Sequence, residues 1–525
     1  MATTTRLARQ IRTPEPSWTR HTGVVIVGAG AAGLSVAARL LGSQLPAVLV
    51  SRQTLAASAT SWSLSQGTRW RTAEDIDAWV AQTGGLADRA AAQALLSRAP
   101  EVFAQLDSWA DSFDTRHADP RQPAGTQLQR TLSAVVRTGA AAPASNLRID
   151  TDRRAVDVLT DGGGHVAGLR VLGRDGLIGD YLAPVVVLAS GGAGQLWSAT
   201  TAPRSATGDG LAMALRAGAA LRDLEFTHFA PTALAASARV HLPGEPLVEL
   251  GAALRRAGAR IVDDQGRPVL DELGPLDSVA EPVLAMAIHD ARSARGGSGL
   301  FLDARGIGAQ SWGLYPYLAT ARACREQGVD PVSAPLPIRP AAQSLVGGIA
   351  ADADGETEVP GLFAAGEVSC TGALGAGGAA DAQIAWALVS GISVGSKLSG
   401  APLPSCGAPV ARESEGCSPA STLPGIRTAS EGALGLSREH ERLRKASDFL
   451  ARLPGDDDFG ELGLTATNLR AVGAAMAAAA IARPETRGWH RRIDHPQSSP
   501  KWERTIRVAC DASGTLHVTS SPVAS

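Results

Sequence analysis

Gly28, Gly30 and Gly33 stand at the spacing G-x-G-x-x-G, directly after Val24-Val25-Ile26-Val27 and before a helix-forming run from Leu34 to Leu41. Glycines so placed suit one task, the holding of a dinucleotide pyrophosphate. Gly28 permits the tight turn, Gly30 lets backbone approach the phosphates, and Gly33 lets the helix lie close on the strand. Ala29, Ala31 and Ala32 fill the turn and the first helical positions, where unpaired N–H groups and the helix dipole favour an anion. In a chain with 58 glycines the spacing alone is a weak signal. The doubly buried strand before it and the helix after it carry the reading.

Other residues along the chain fit the same chemistry. A second strand, Ala47 to Val50, ends at Ser51-Arg52, where an acid would hold the ribose of a nicotinamide cofactor. That acid is missing, which leaves a flavin nucleotide bound by other contacts. Ser58, Thr60, Ser61, Gln66 and Gly67 lie in a hydroxyl-rich stretch that suits a loop around phosphate and ring edge, or an ordinary Ser/Thr loop. Val185 to Ala189 reads as another buried strand, ending at Ser190-Gly191-Gly192. Asp209, in Thr207-Gly208-Asp209-Gly210, can cap the helix Leu211 to Ala217 or hold a cofactor hydroxyl. Leu362 to Ala365 reads as a strand ending at Gly366-Glu367.

The elements that must position these residues follow from pattern. The 525 residues allow about two to four domains. With 44% hydrophobic and 19% charged residues and a net charge of −2, nothing points to nucleic acid or an anionic membrane surface. The five cysteines are scattered, with no C-x-x-C, so neither a metal site nor a disulfide frame is expected, and the compartment reads as reducing and cytoplasmic. No membrane span is expected; Ala471 to Ala482 reads as a packed helix. The Arg-rich start, broken by Pro14 and Pro16, reads as a frayed tail. Glu74 to Ala110 reads as a helical excursion, and Asp150 to Arg174 as a hairpin. The fold class is α/β: a Rossmann-like domain in two segments, 22–225 and 339–396, with an inserted α+β capping domain, 226–338. A surface linker, 397–435, and a C-terminal helical domain, 436–525, complete the chain.

The order of these motifs resembles the fumarate reductase/succinate dehydrogenase flavoprotein superfamily, and the L-aspartate oxidase family most closely. Val24 to Leu40 looks like the FAD fingerprint. Ala189-Ser190-Gly191-Gly192 with Thr207-Gly208-Asp209-Gly210 is similar to the T-G-G … T-G-D-G pair. Gly361 to Val368 resembles G-L-Y-A-A-G-E, and Thr486 to Pro496 resembles S-R-G-A-H-x-R-x-D-x-P. The resemblance implies that Ala29 to Gly33 meet the pyrophosphate and Arg52 follows the second strand. Thr60 to Gly67 would line the flavin, Asp209 would contact FAD, and Glu367 would bind its hydroxyls. Gln383-Ile384 replace a Ser-Leu pair beside the flavin ring. No histidine occurs from Ser58 to Gly67, so FAD is expected to be non-covalent. The implied activity oxidises L-aspartate to iminoaspartate in de novo NAD biosynthesis.

The substrate motifs depart from the family. Q-F-H-P-T reads His228-Phe229-Ala230-Pro231-Thr232, and R-G-E-G-A is matched to Val248 to Ala252. The arginine of A-R-A-I, a proton shuttle, is Met286. H-Y reads Gln343-Ser344, and H-G-A-N-R reads Leu374-Gly375-Ala376-Gly377-Gly378. A dicarboxylate needs guanidinium partners, each charged hydrogen bond contributing about 1.5–3 kcal/mol. Methionine cannot move a proton. His228, Gln343 and His289 are the nearest polar candidates, and Arg255, Arg256 and Arg260 read as solvated charge on a surface helix. Alternatives are therefore an oxidoreductase for a less anionic small molecule and a non-catalytic flavin-binding homologue.

Overall fold

The computed structural model describes residues 5–64, 75–115, 119, 121–235, 244–297, 299–377, 380–455 and 459–523. Val24–Val27 is the middle strand of a five-stranded parallel sheet in the order Leu362–Ala364, Val185–Leu188, Val24–Val27, Ala47–Val50, Leu147–Asp150. Its inner strands are unbroken runs of Val, Leu, Ile and Ala because both faces are covered, so no polar alternation is needed. Helix Ala31–Leu40 packs between Ala380–Ser399 and Ala124–Ala140. The outermost strand, Leu362–Ala364, comes from a distant part of the chain and completes the sheet in parallel register with Val185–Leu188.

The carboxyl ends of these strands converge. Gly28, Ser51, Ser190 and Ala365 are the residues at or just past those ends, which is where open α/β sheets bind ligands. A four-stranded sheet containing the hairpin Arg153–Thr160/Val166–Gly173 packs on this unit. Within the segment 226–338, strands Thr227–Leu234, Phe301–Asp303 and Arg260–Val262 join Leu336–Leu345 in an antiparallel sheet. Its separate core includes Leu250, Ile261, Leu284, Trp312 and Ile338. Leu336–Leu345 runs on from this sheet to Gln343 and Ser344, at the convergence of the parallel strands.

Several expectations are corrected. The N-terminal tail is tied down: Gln10–Ile11 pairs with Ser414–Glu415, and Trp18–His21 with Ile178–Leu182. The stretch read as a linker contains helix Leu423–Ala433, which buries Leu423, Ile426 and Ala433. The C-terminal part is not wholly helical. Arg504–Cys510 and Leu516–Pro522 form a hairpin added to Leu221–Arg222, with Ile506 and Val508 turned inward. Helix Glu461–Ala482 is long and apolar enough to cross a membrane, yet 89% of its apolar window is buried within the fold. All five cysteines are free.

Candidate functional site

One long cleft runs over the carboxyl ends of the parallel strands, lined by Gly28 to Ala32, Ser51, Arg52, Ser58, Thr60, Ser190 to Gly192, Asp209 and Glu367. The glycine turn shows why each glycine is needed. A Cβ on Gly28, whose φ is +110°, would lie 2.3 Å from the Ala189 carbonyl oxygen. A Cβ on Gly33 would lie 1.9 Å from the Gly28 carbonyl oxygen, so Gly33 faces the strand and not the cleft. A Cβ on Gly30 would meet only ordinary contacts, the nearest being Thr60 Oγ1 at 3.5 Å. The Ala31 N–H donates to Thr60 Oγ1 at 3.0 Å. The Ala32 and Gly33 N–H groups lie in the first helical turn, where the helix provides no acceptor.

The polar rim fits a large polar cofactor. Ser190, Thr201 and Gln383 line the cleft, and Ser190 Oγ, Thr201 Oγ1 and Gln383 Oε1 are buried with no hydrogen-bond partner among the described residues. Buried polar atoms are nearly always satisfied, so three orphans along one cleft mark contacts that a ligand completes. Glu367 accepts the Leu345 N–H at 3.0 Å, and a Cβ on Gly192 would lie 2.0 Å from Glu367 Oε1. Burial pushes Glu367 up to about 7. Gln383 Nε2 donates to the Leu345 carbonyl at 2.9 Å, and Ile384 lies beside it in the wall.

Other expected residues are placed differently. Asp209 lines the cleft, but its carboxylate is held by Arg154 Nη2 at 2.8 Å and Nε at 3.0 Å, Asn468 Nδ2 at 2.8 Å and Thr207 Oγ1 at 2.9 Å. Burial alone would raise it; the Arg154 charge and hydrogen bonds bring it down to about 2. Asp209 does not cap its helix, whose N-cap is Gly208 at φ +70°. Ser61 donates its hydroxyl to the Ser58 carbonyl at 2.7 Å and does not line the cleft. Ser58 Oγ donates to Gln129 Oε1 at 2.8 Å. Arg52 lies in the wall and donates to Glu461 at 2.6 Å. Gln66, Gly67 and Gly378 lie outside the described residues.

The catalytic candidates separate. Gln343 lines the cleft, while His228, His289 and Met286 do not. His228 is buried behind the wall, with Nε2 2.9 Å from Glu281 Oε2 and its ring edge-on to Trp489. Arg255 is not a solvated charge. It is buried, donating to Glu281 Oε1 at 2.9 Å and Thr232 Oγ1 at 3.2 Å. Burial would raise Glu281, but His228 and Arg255 bring it down to about 2.

Sequence reading also missed Arg154, Thr201 and Glu249 in the wall. Arg154 and Thr201 carry no local signal. Glu249 stands in the stretch matched to R-G-E-G-A, Val248 to Ala252, at a position where the motif has glycine, so the match does not single it out. No cluster of His, Cys, Asp and Glu able to hold a metal occurs among the described residues.

Comparison with known proteins agrees with this geometry. Residues 23–379 match the FAD binding domain family FAD_binding_2. The chain is 34% identical to an L-aspartate oxidase of Streptomyces coelicolor, over 98% of this chain and 96% of that one. It is 31% identical to an L-aspartate oxidase of Caulobacter vibrioides, over 92% and 95%. In fold it is similar to a mutant FrdA chain of E. coli quinol fumarate reductase, with a TM-score of 0.80 and 24% identity over 97% of both chains. The Mycobacterium smegmatis Sdh1 complex matches with a TM-score of 0.77 and 22% identity over 96% and 94%. Glycine turn, cleft and full-length similarity together lead to one conclusion: this chain belongs to the L-aspartate oxidase family of FAD-dependent flavoproteins.

Proposed function

We propose that the chain is an FAD-dependent oxidoreductase of the L-aspartate oxidase type, converting L-aspartate to iminoaspartate for de novo NAD biosynthesis. The observation that carries this is the glycine cradle continuous with three unpartnered buried polar atoms along one cleft. FAD supplies a two-electron acceptor that takes hydride from carbon. The Ala32 and Gly33 N–H groups hold the pyrophosphate, with Gly30 and Thr60 shaping its approach. Gly191, Gly192 and Glu367 bind hydroxyls of the cofactor, and Gln383 and Ile384 flank its ring. Asp209 acts by fixing Arg154 beside Ser51 and Arg52. The segment 226–338 caps the ring end of the cleft. No covalent tether is expected, because the stretch Ser58 to Gly67 holds no histidine.

One observation favours a second substrate class. Beside Gln383 and Ile384 the described wall offers Glu249, Gln343 and Ser344, and no cation. The wall arginines, Arg52, Arg153 and Arg154, cluster beside Ser51 and pair with Glu461, Asp150, Asp175 and Asp209. A small amino acid with one carboxylate suits that wall better than a dianion. Anaerobic mixing of the FAD-loaded protein with L-aspartate, and separately with neutral amino acids, decides between them. Bleaching by L-aspartate supports the first reading; bleaching only by the neutral amino acids supports the second. A protein that takes up no FAD defeats both.

A further inference from the structure

Glu249 lies in the stretch Val248 to Ala252 matched to R-G-E-G-A, at a position where that motif has glycine. The backbone on either side is pinned to Thr227–Leu234: the Leu250 N–H donates to the Thr232 carbonyl and the Leu234 N–H to the Val248 carbonyl, each at 2.9 Å. That pairing sets Glu249 in the cleft wall, where Gln343 Nε2 donates to its Oε2 at 2.8 Å. Its Oε1 has no donor among the described residues. Gln343 is two residues from Leu345, whose carbonyl takes Gln383 and whose N–H reaches Glu367. Glu249 therefore stands at the end of the cleft marked by Gln383 and Ile384.

Among the described residues, the charged and titratable groups that act on it include Glu281, His228, Arg255 and Asp381. Glu281 already binds both His228 and Arg255, at 2.9 Å each, so their hydrogen bonds go to it and not to Glu249. Burial, and then the Glu281 charge, push Glu249 up to about 7. A carboxylate with one oxygen free of donors among the described residues and an affinity for protons near neutrality is suited to receive a proton from an ammonium group.

We infer that Glu249, oriented by Gln343, receives the substrate's ammonium group and accepts the proton it must lose before its carbon is oxidised. The inference rests on the oxidoreductase reading and applies to either substrate class. In the step, one ammonium N–H bond breaks, its electron pair stays on nitrogen, and the proton passes to Glu249. The Cα–H electron pair then leaves with its hydrogen to FAD, and the nitrogen lone pair forms the C=N bond. Carbon is oxidised by two electrons and FAD is reduced by two.

Amines lacking a Cα–H bond test binding without turnover. The FAD-loaded protein and Glu249→Gln are titrated by calorimetry with α-methyl-L-aspartate against methylsuccinate, and with α-aminoisobutyrate against isobutyrate. In the unsubstituted protein the amine of at least one pair should bind about tenfold or more tighter than its counterpart, as one charged hydrogen bond supplies. Its affinity should rise with pH through a midpoint near 7. Glu249→Gln should erase both the preference and the midpoint. Gln343→Leu, which removes the donor to the carboxylate, should move the midpoint upward. A preference that survives Glu249→Gln, or no amine preference in either pair, overturns the inference. Loss of FAD binding is seen separately in the flavin absorbance and counts against the proposed function, while the calorimetry still reads Glu249.

Discussion

Arg154 grips Asp209 through two nitrogens, Nη2 at 2.8 Å and Nε at 3.0 Å, with its own side chain only 1% exposed. The pair joins the hairpin Arg153–Thr160 to helix Asp209–Ala217 and sets a cation in the wall of the cofactor cleft. Removing Asp209 leaves Arg154 with Glu461 as its remaining carboxylate and takes away two charged hydrogen bonds, each contributing about 1.5–3 kcal/mol. Asp209→Leu should therefore lower the melting temperature and the retention of FAD together. A variant with unchanged melting temperature would show that the pair does not brace the cleft.

Acid stability follows from the same carboxylate. Its folded value of about 2 lies below the ordinary 3.8, so its stabilisation is fully present above 3.8 and is lost as pH falls towards and through 2. Chemical denaturation between pH 5 and pH 2 should show this loss, and Asp209→Asn should flatten the slope in that window.

The glycine turn separates folding from binding. Gly33→Ala places a methyl 1.9 Å from the Gly28 carbonyl oxygen and should cost about 1–3 kcal/mol, by forcing the helix off the strand. Gly30→Val puts its Cβ at ordinary contact distance, 3.5 Å from Thr60 Oγ1, and should fold nearly as well as the parent. It should nevertheless bind FAD roughly a hundredfold more weakly, because the side chain fills the phosphate approach. Thermal melts of the apo forms and fluorescence titration with FAD distinguish the two effects.

Glu281 links two buried groups to the reaction chamber. Glu281→Gln removes the charge that raises Glu249, so the pH midpoint of amine binding should move down from about 7. The same change leaves Arg255 buried with a neutral partner and should destabilise the fold by about 2–4 kcal/mol. A fixed midpoint in a folded Glu281→Gln protein would show that the two carboxylates do not communicate.

Local features were legible in the sequence and long-range ones were not. The strand Val24–Val27, the glycine turn and helix Ala31–Leu40 follow from adjacent residues, and the structure forms them together. The Asp150 to Arg174 hairpin was readable for the same reason. Arg255 was not, because an arginine in Leu254-Arg255-Arg256 reads as surface until Glu281, far along the chain, comes to meet it. Asp209 was legible as part of a motif, yet its partner Arg154 was not, since no local rule pairs a strand residue with a helix start fifty-five residues later. The C-terminal hairpin was hidden because its strand Arg504–Cys510 joins a sheet through the two-residue strand Leu221–Arg222, which is invisible without the fold.

The central claim is that this cleft holds FAD, and holds it without a covalent bond. Acid precipitation of the FAD-reconstituted protein, followed by absorbance and identification of the flavin in supernatant and pellet, tests it directly. The account predicts FAD equimolar with the chain, all of it in the supernatant. A protein that stays colourless on reconstitution, or flavin that remains with the precipitated chain, contradicts it.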